Sequence, residues 1–168
     1  TTVFDIGSIT KQFTAAAILK LEMDGKLSVS DPLAKYFPDV PADKAAITIH
    51  DLLRHQSGLP SNVGRDFDAV TEADFVKLVF GSPLRFETGT DFGYSNIGYS
   101  LLALIVQKVS GKSYEEYAYE NLWKPAGMES TGYSRPDFDP ESVAVVYSRE
   151  DSVWGKPTEM KWDRTAPY

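Results

Sequence analysis

The chain has 168 residues, 42% hydrophobic and 24% charged, with a formal net charge of −7. That size suits one domain with a buried core, and the acidic balance speaks against a nucleic-acid partner, whose phosphates need a basic face. The lack of cysteine excludes disulfides, thiolate metal sites and cysteine nucleophiles, and no apolar run approaches the roughly 18–20 residues of a membrane-spanning helix.

Residues 1–7 read as the end of a strand or an extended entry, with Gly7 permitting a tight turn. From Ser8 the pattern is helical. Phe13, Ala16, Ala17, Leu19, Leu21 and Met23 form a wide apolar face, and Asp24-Gly25 is a C-cap, which predicts a helix over 9–23. Asp31-Pro32 reads as a second helix start, stopped at Phe37-Pro38. Thr48, with Asp51 three residues on, caps a helix over 49–55 that Gly58 and Pro60 end. Residues 56–70 form a loop. Thr71 and Asp74 open a helix that runs to Phe80, and residues 84–94 are again loop. Ile97 to Val109 is apolar nearly all round, as befits a central buried helix closed by Gly111. Ser113 and Glu116 form a capping box for a helix to Trp123, broken by Pro125 and Gly127. Residues 142–148 look like a strand, 154–157 like a turn and 158–162 like a second short strand. The pattern is one mostly helical unit with a little β structure.

Ser8 and Lys11 stand three apart, a spacing that brings two side chains to one helix face. A serine hydroxyl attacks a carbonyl poorly until something takes its proton, and Ser-x-x-Lys pairs it with a possible acceptor. Lys11 serves as base only if burial and the helix N-terminus keep its amine neutral, with Phe4, Ile9 and Phe13 as apolar cover. If it stays charged, it favours the phenolate of a nearby tyrosine, and Tyr94 becomes the base. The residues leave both alternatives open. Tyr94-Ser95-Asn96 joins a phenol, a hydroxyl and an amide just before the central helix. Ser95 and Asn96 are equally suited to capping that helix. His50 and His55, five apart, share no helix face, and no Gly-x-Ser-x-Gly elbow accompanies them. They read as helix or loop residues with local hydrogen bonds, and their spacing does not suit a helical zinc site.

Gly7 to Thr14, Asp51 to Pro60 and Phe92 to Tyr99 together closely resemble the serine β-lactamase-like and penicillin-binding-protein family, in its class C β-lactamase, D-alanyl-D-alanine carboxypeptidase and family VIII carboxylesterase branch. The stretch from Val109 to Met128, with Pro125-Ala126-Gly127-Met128, is similar too. The resemblance implies Ser8 as the acylated nucleophile and Lys11 as its partner. It implies Tyr94 as acid/base and Asn96 as the group that binds Lys11 and the substrate amide. It implies no cofactor and no metal, and a small-molecule or peptide substrate that is a D-amino peptide, an ester or a β-lactam. A periplasmic or secreted location is the family expectation. Ser57-Gly58-Leu59 looks structural, shaping the cleft.

Two departures stand beside it. No Lys-Thr-Gly or His-Thr-Gly triplet follows Tyr94; Gly111-Lys112-Ser113 is nearest in composition but lies at a helix end. Family members are also roughly twice this length. The expected fold is therefore α+β: one partial domain over 1–168, with the helical half over 8–128, short β segments near 142–162 and most of the antiparallel sheet missing. The apolar face of the central helix would then lack a partner and invite association. The alternative to a serine hydrolase is a catalytically incomplete fragment or a non-catalytic binding homologue of the same fold.

Overall fold

The computed structural model of the chain describes residues 2–64, 70–133, 139–144, 146–150 and 153–158. The described α-helices are α1 Thr10–Met23, α2 Ile49–Leu53, α3 Glu72–Gly81, α4 Asn96–Ser110 and α5 Tyr114–Ala118. Two antiparallel strands follow, β1 Val146–Glu150 and β2 Val153–Thr158, with Val146 opposite Thr158 and Glu150 opposite Val153.

The capping chemistry expected from the sequence is present at the starts of α2, α3 and α5. Thr48 with Asp51 and Ser113 with Glu116 form reciprocal capping boxes, and the Thr71 hydroxyl accepts from Asp74 N. Gly111 closes α4 in the left-handed conformation at φ +70°.

α4 is the centre of the core. Leu101, Leu102, Ala103, Leu104, Ile105 and Val106 are buried without a break, so this helix is covered on all sides, by α1, α2 and α5 among others, and the uncovered central-helix face expected from the sequence is not present. α1 turns Thr14, Ala17, Ile18 and Leu21 inwards. Its other face is open: Ile9, Leu19 and Met23 are 56%, 48% and 83% exposed. Leu19 and Met23, expected in the core, lie on the surface because periodicity records that a face is apolar and not which element covers it.

Other expectations shift for local reasons. The second helix reduces to one 3-10 turn, Leu33–Lys35. Pro32 is extended and bridges Thr48, while the Asp31 carboxylate accepts from Ser28 N, Lys35 Nζ and Tyr36 Oη instead of capping. α2 ends at Leu53, and His55 lies beyond it at φ +58°. The last helix is α-helical only to Ala118 and continues as a π-turn, Tyr119–Trp123. Val3 bridges Val143 in parallel, matching the extended entry. The strand expected at 142–148 begins at Val146, after a 3-10 turn Pro140–Ser142. Residues 154–157, expected as a turn for their glycine and proline, belong to β2. In a two-stranded sheet both strands are edges, where proline is tolerated. Of the strand expected at 158–162, residues 159–162 lie outside the described residues.

Leu104→Ala removes a fully buried side chain from α4. We expect a loss of about 2–5 kcal/mol, read from urea unfolding.

Candidate active site

The nucleophile candidate sits on a 3-10 turn, Gly7–Ile9, that leads directly into α1. Gly7 has φ +49°, and its N–H donates to Asp5 Oδ1 at 2.7 Å. Thr10 Oγ1 donates back to Gly7 O at 2.8 Å. These contacts hold the turn in front of the helix, with Ser8 and Lys11 on one face as the spacing predicts.

The opposite wall is made by two loops joined along their length. Gly93 N donates to His55 O, Gly89 N to Gln56 O, Arg85 N to Gly58 O and Asn96 N to Ser61 O, at 2.7–2.9 Å. Side chains fill the gaps: Thr88 Oγ1 donates to Ser57 O at 3.0 Å and Ser95 Oγ to Pro60 O at 2.7 Å. The stretch 57–59 is thus tied into this wall through its backbone carbonyls. Gly58 is required on two counts. Its φ is +76°, and a Cβ there would stand 2.2 Å from the Phe86 carbonyl oxygen.

The two walls meet at Ser8. Tyr94 Oη donates to Ser8 Oγ at 2.8 Å, and Lys11 Nζ donates to Ser8 Oγ at 3.2 Å. Lys11 Nζ also donates to Asn96 Oδ1 at 2.7 Å. All four predicted site residues therefore lie in one connected group. Ser95 does cap α4, its Oγ accepting from Gly98 N at 3.1 Å. Asn96, for which capping was the alternative, spends its side chain on the site. The cover expected for Lys11 from Phe4 and Ile9 is absent, since both are more than half exposed. The Tyr94 and Tyr99 rings flank its ammonium instead, at 5.0 and 5.7 Å from their centroids.

Burial pushes the Tyr94 phenol up, but hydrogen bonds with Lys11 and Ser8 and the Lys11 charge outweigh it and bring the group below its ordinary value. Tyr99 moves the other way, raised by burial and by Tyr94. Its Oη donates to Leu53 O at 3.0 Å, which ties α4 to the end of α2.

Two residues of the group escaped the sequence. Asn62 Oδ1 accepts from Asn96 Nδ2 at 2.8 Å. No motif marks it within its polar loop. His55 was expected to bond locally, yet its Nδ1 accepts from Ser95 N at 3.1 Å, 40 positions away. His50 stays exposed on α2. Among the described residues no group of three or more His, Cys, Asp or Glu could hold a metal ion, and no helix is long and apolar enough to cross a membrane.

A family model described as Beta-lactamase matches residues 1–166. The chain belongs to the β-lactamase family, and its fold is β-lactamase-like. It is 35% identical to Protein flp of Staphylococcus aureus (strain MW2) over its whole length, and covers 36% of that protein. A penicillin-binding protein from Bacillus halodurans is 35% identical with a TM-score of 0.68, over 88% of this chain and 48% of that one. A D-alanine carboxypeptidase AmpC from Burkholderia cenocepacia is 25% identical with a TM-score of 0.79, over 95% of this chain and 42% of that one. The chain thus spans well under two thirds of the length of these relatives.

Two outcomes follow from this geometry. Gly58→Ala combines overpacking, about 1–3 kcal/mol, with a left-handed backbone penalty of about 1–2 kcal/mol; urea unfolding reads the sum. Burial, then the Lys11 charge, hold the His55 imidazole below its ordinary value of 6.5. The unfolded chain therefore binds the proton first. The His55 contribution is complete above about pH 6.5 and is lost as pH falls through the window below it. Unfolding midpoints measured from about pH 7 down to about pH 5 should fall less steeply in His55→Asn than in the wild type.

Proposed function

We propose that the chain carries the nucleophile of a serine acyl hydrolase that works through an acyl-enzyme on Ser8. The observation that carries this is the double contact on Ser8 Oγ, from Tyr94 Oη at 2.8 Å and Lys11 Nζ at 3.2 Å. In its phenolate form Tyr94 takes the Ser8 proton along that contact as Oγ attacks the substrate carbonyl carbon. The phenol then returns the proton to the leaving nitrogen or oxygen. Water repeats the sequence on the ester to free the acid and restore Ser8. Lys11, with Nζ 3.2 Å from Ser8 Oγ, is the cation that keeps the phenolate favourable. Asn96 holds Lys11 through Oδ1, and its Nδ2 keeps a second N–H, beside the one given to Asn62, for the substrate's own amide. The Ser8 N–H supplies one oxyanion donor; lacking a second costs about 10²–10³ in rate.

The substrate class is an acyl compound with an amide, ester or β-lactam carbonyl. D-amino peptides are supported by the likeness to a D-alanine carboxypeptidase. Residues 1–168 make one partial domain, the helical half of the fold. One observation favours a second reading for these residues alone: they span 36% of a relative's length, so the isolated piece binds acyl compounds and turns them over slowly.

A fluorophosphonate or penicillin probe should acylate Ser8 in the complete gene product, and Ser8→Ala should abolish labelling. Tyr94→Phe should slow acylation by about 10²–10⁴-fold at unchanged melting temperature. Equal turnover of ester and D-amino peptide panels by wild type and Ser8→Ala would sink the proposal. Fast turnover by the isolated 168 residues removes the second reading.

A further inference from the structure

We infer that His55 is a positioning residue for Tyr94 and Asn96, acting through an unprotonated Nδ1 on the backbone N–H of Ser95, an inference that rests on the acyl-transfer reading above. Ser95 lies between the two functional side chains and is 1% exposed. Its hydroxyl is committed twice, to Gly98 N and to Pro60 O. Its N–H has His55 Nδ1 as partner at 3.1 Å, and at this burial water is no ready substitute.

The backbone of His55 adds to the same task. Its N–H donates to Leu52 O at the end of α2, and its carbonyl accepts from Gly93 N. One residue therefore joins the end of α2 to both sides of Tyr94. Its ring is wedged among the site's aromatics, 4.6 Å from Tyr94, 5.0 Å from Tyr99 and 5.8 Å edge-on to Phe92. Tyr94 and Tyr99 are the rings that flank Lys11.

The backbone conformation argues that the side chain itself matters. His55 is the non-glycine residue at positive φ among the described residues, +58°. Glycine or asparagine adopts that conformation with less strain. A non-glycine residue there is uncommon, and the contact that the imidazole makes gives this one a use. That contact also fixes its chemistry. Nδ1 must accept, so the proton of the neutral ring sits on Nε2; an imidazolium would set N–H against N–H. Burial and the Lys11 charge both favour the neutral ring. A displacement of about 1 Å at a reacting group costs on the order of 10²-fold in rate, so a loosened turn at 94–96 is felt at Ser8.

The test uses the complete gene product. His55→Gly relieves the backbone and deletes the acceptor, while His55→Asn keeps both an acceptor and tolerance of positive φ. We expect His55→Gly to melt below the wild type, through the orphaned Ser95 N–H and the lost ring packing, and, at a temperature where it is fully folded, to label Ser8 with fluorophosphonate on the order of 10²-fold more slowly. His55→Asn should recover most of that rate. The Tyr94 phenol, followed by ultraviolet difference titration against Tyr94→Phe, should titrate higher in His55→Gly. Histidine 15N NMR should show the Nε2–H tautomer. Wild-type labelling by His55→Gly, or an Nδ1–H tautomer, overturns the inference and leaves the acyl-transfer proposal standing. If the wild type does not label at all, that proposal fails by itself. The tautomer and the Tyr94 titration, which need no turnover, then decide on His55. If His55→Gly does not fold, His55→Asn and the tautomer decide.

Discussion

Lys11 and Asn96 are 85 positions apart in the chain, and their side chains meet at 2.7 Å. Each stands in the first turn of a long helix, α1 or α4. That hydrogen bond is possible because the two helices pack with their N-terminal ends at one level. The packing is apolar: Ala17, Ile18 and Leu21 on α1 share a core with the unbroken run from Leu101 to Val106 on α4. The core sets the helix positions, and the charged bond at their ends converts that into a fixed relation between Ser8 and Tyr94.

Helices alone do not aim Tyr94, which precedes the first residue of α4. Its direction comes from the joined loops 55–61 and 85–96. Their bonds are mostly backbone ones, so the sequence there is constrained by conformation. Gly58 is needed for the close approach of the Phe86 carbonyl, and Thr88 and Ser95 supply hydroxyls where backbone pairing lapses. An enzyme site on loops is usually less exact than one on helices or strands. Here the loops act as a continuation of the core, with Ser57 and Leu59 buried beneath them.

Much of this is legible in the order of residues. The uninterrupted apolar run of α4, the capping boxes at Thr48 and Ser113 and the Ser8–Lys11 spacing all carry local signals, and each corresponds to a local structure. What escapes is tertiary. Nothing local tells that His55 leaves the helix at positive φ, or that its acceptor serves a residue 40 positions on. Asn62 is one polar loop residue among several until Asn96 is beside it. Leu19 and Met23 have core chemistry and surface positions, because the covering element is no part of the helix pattern. Phe4 and Ile9 were natural cover for Lys11 by proximity in the chain; the rings that flank it belong to Tyr94 and Tyr99.

The separations within the site also say when it forms. Ser95 reaches Pro60 across 35 positions, His55 across 40, and Tyr94 reaches Ser8 across 86. Contacts of that span are formed against a large loop-closure entropy, whereas the turn between α4 and α5 closes within a few residues, with Tyr114 N on Gln107 Oε1 across 7. The α4–α5 contact therefore closes the shorter loop at the smaller entropy cost. Ser8 meets Tyr94 only once the chain's beginning has been brought back to its middle, so the contact between them reports that α1 has docked against the loop before α4.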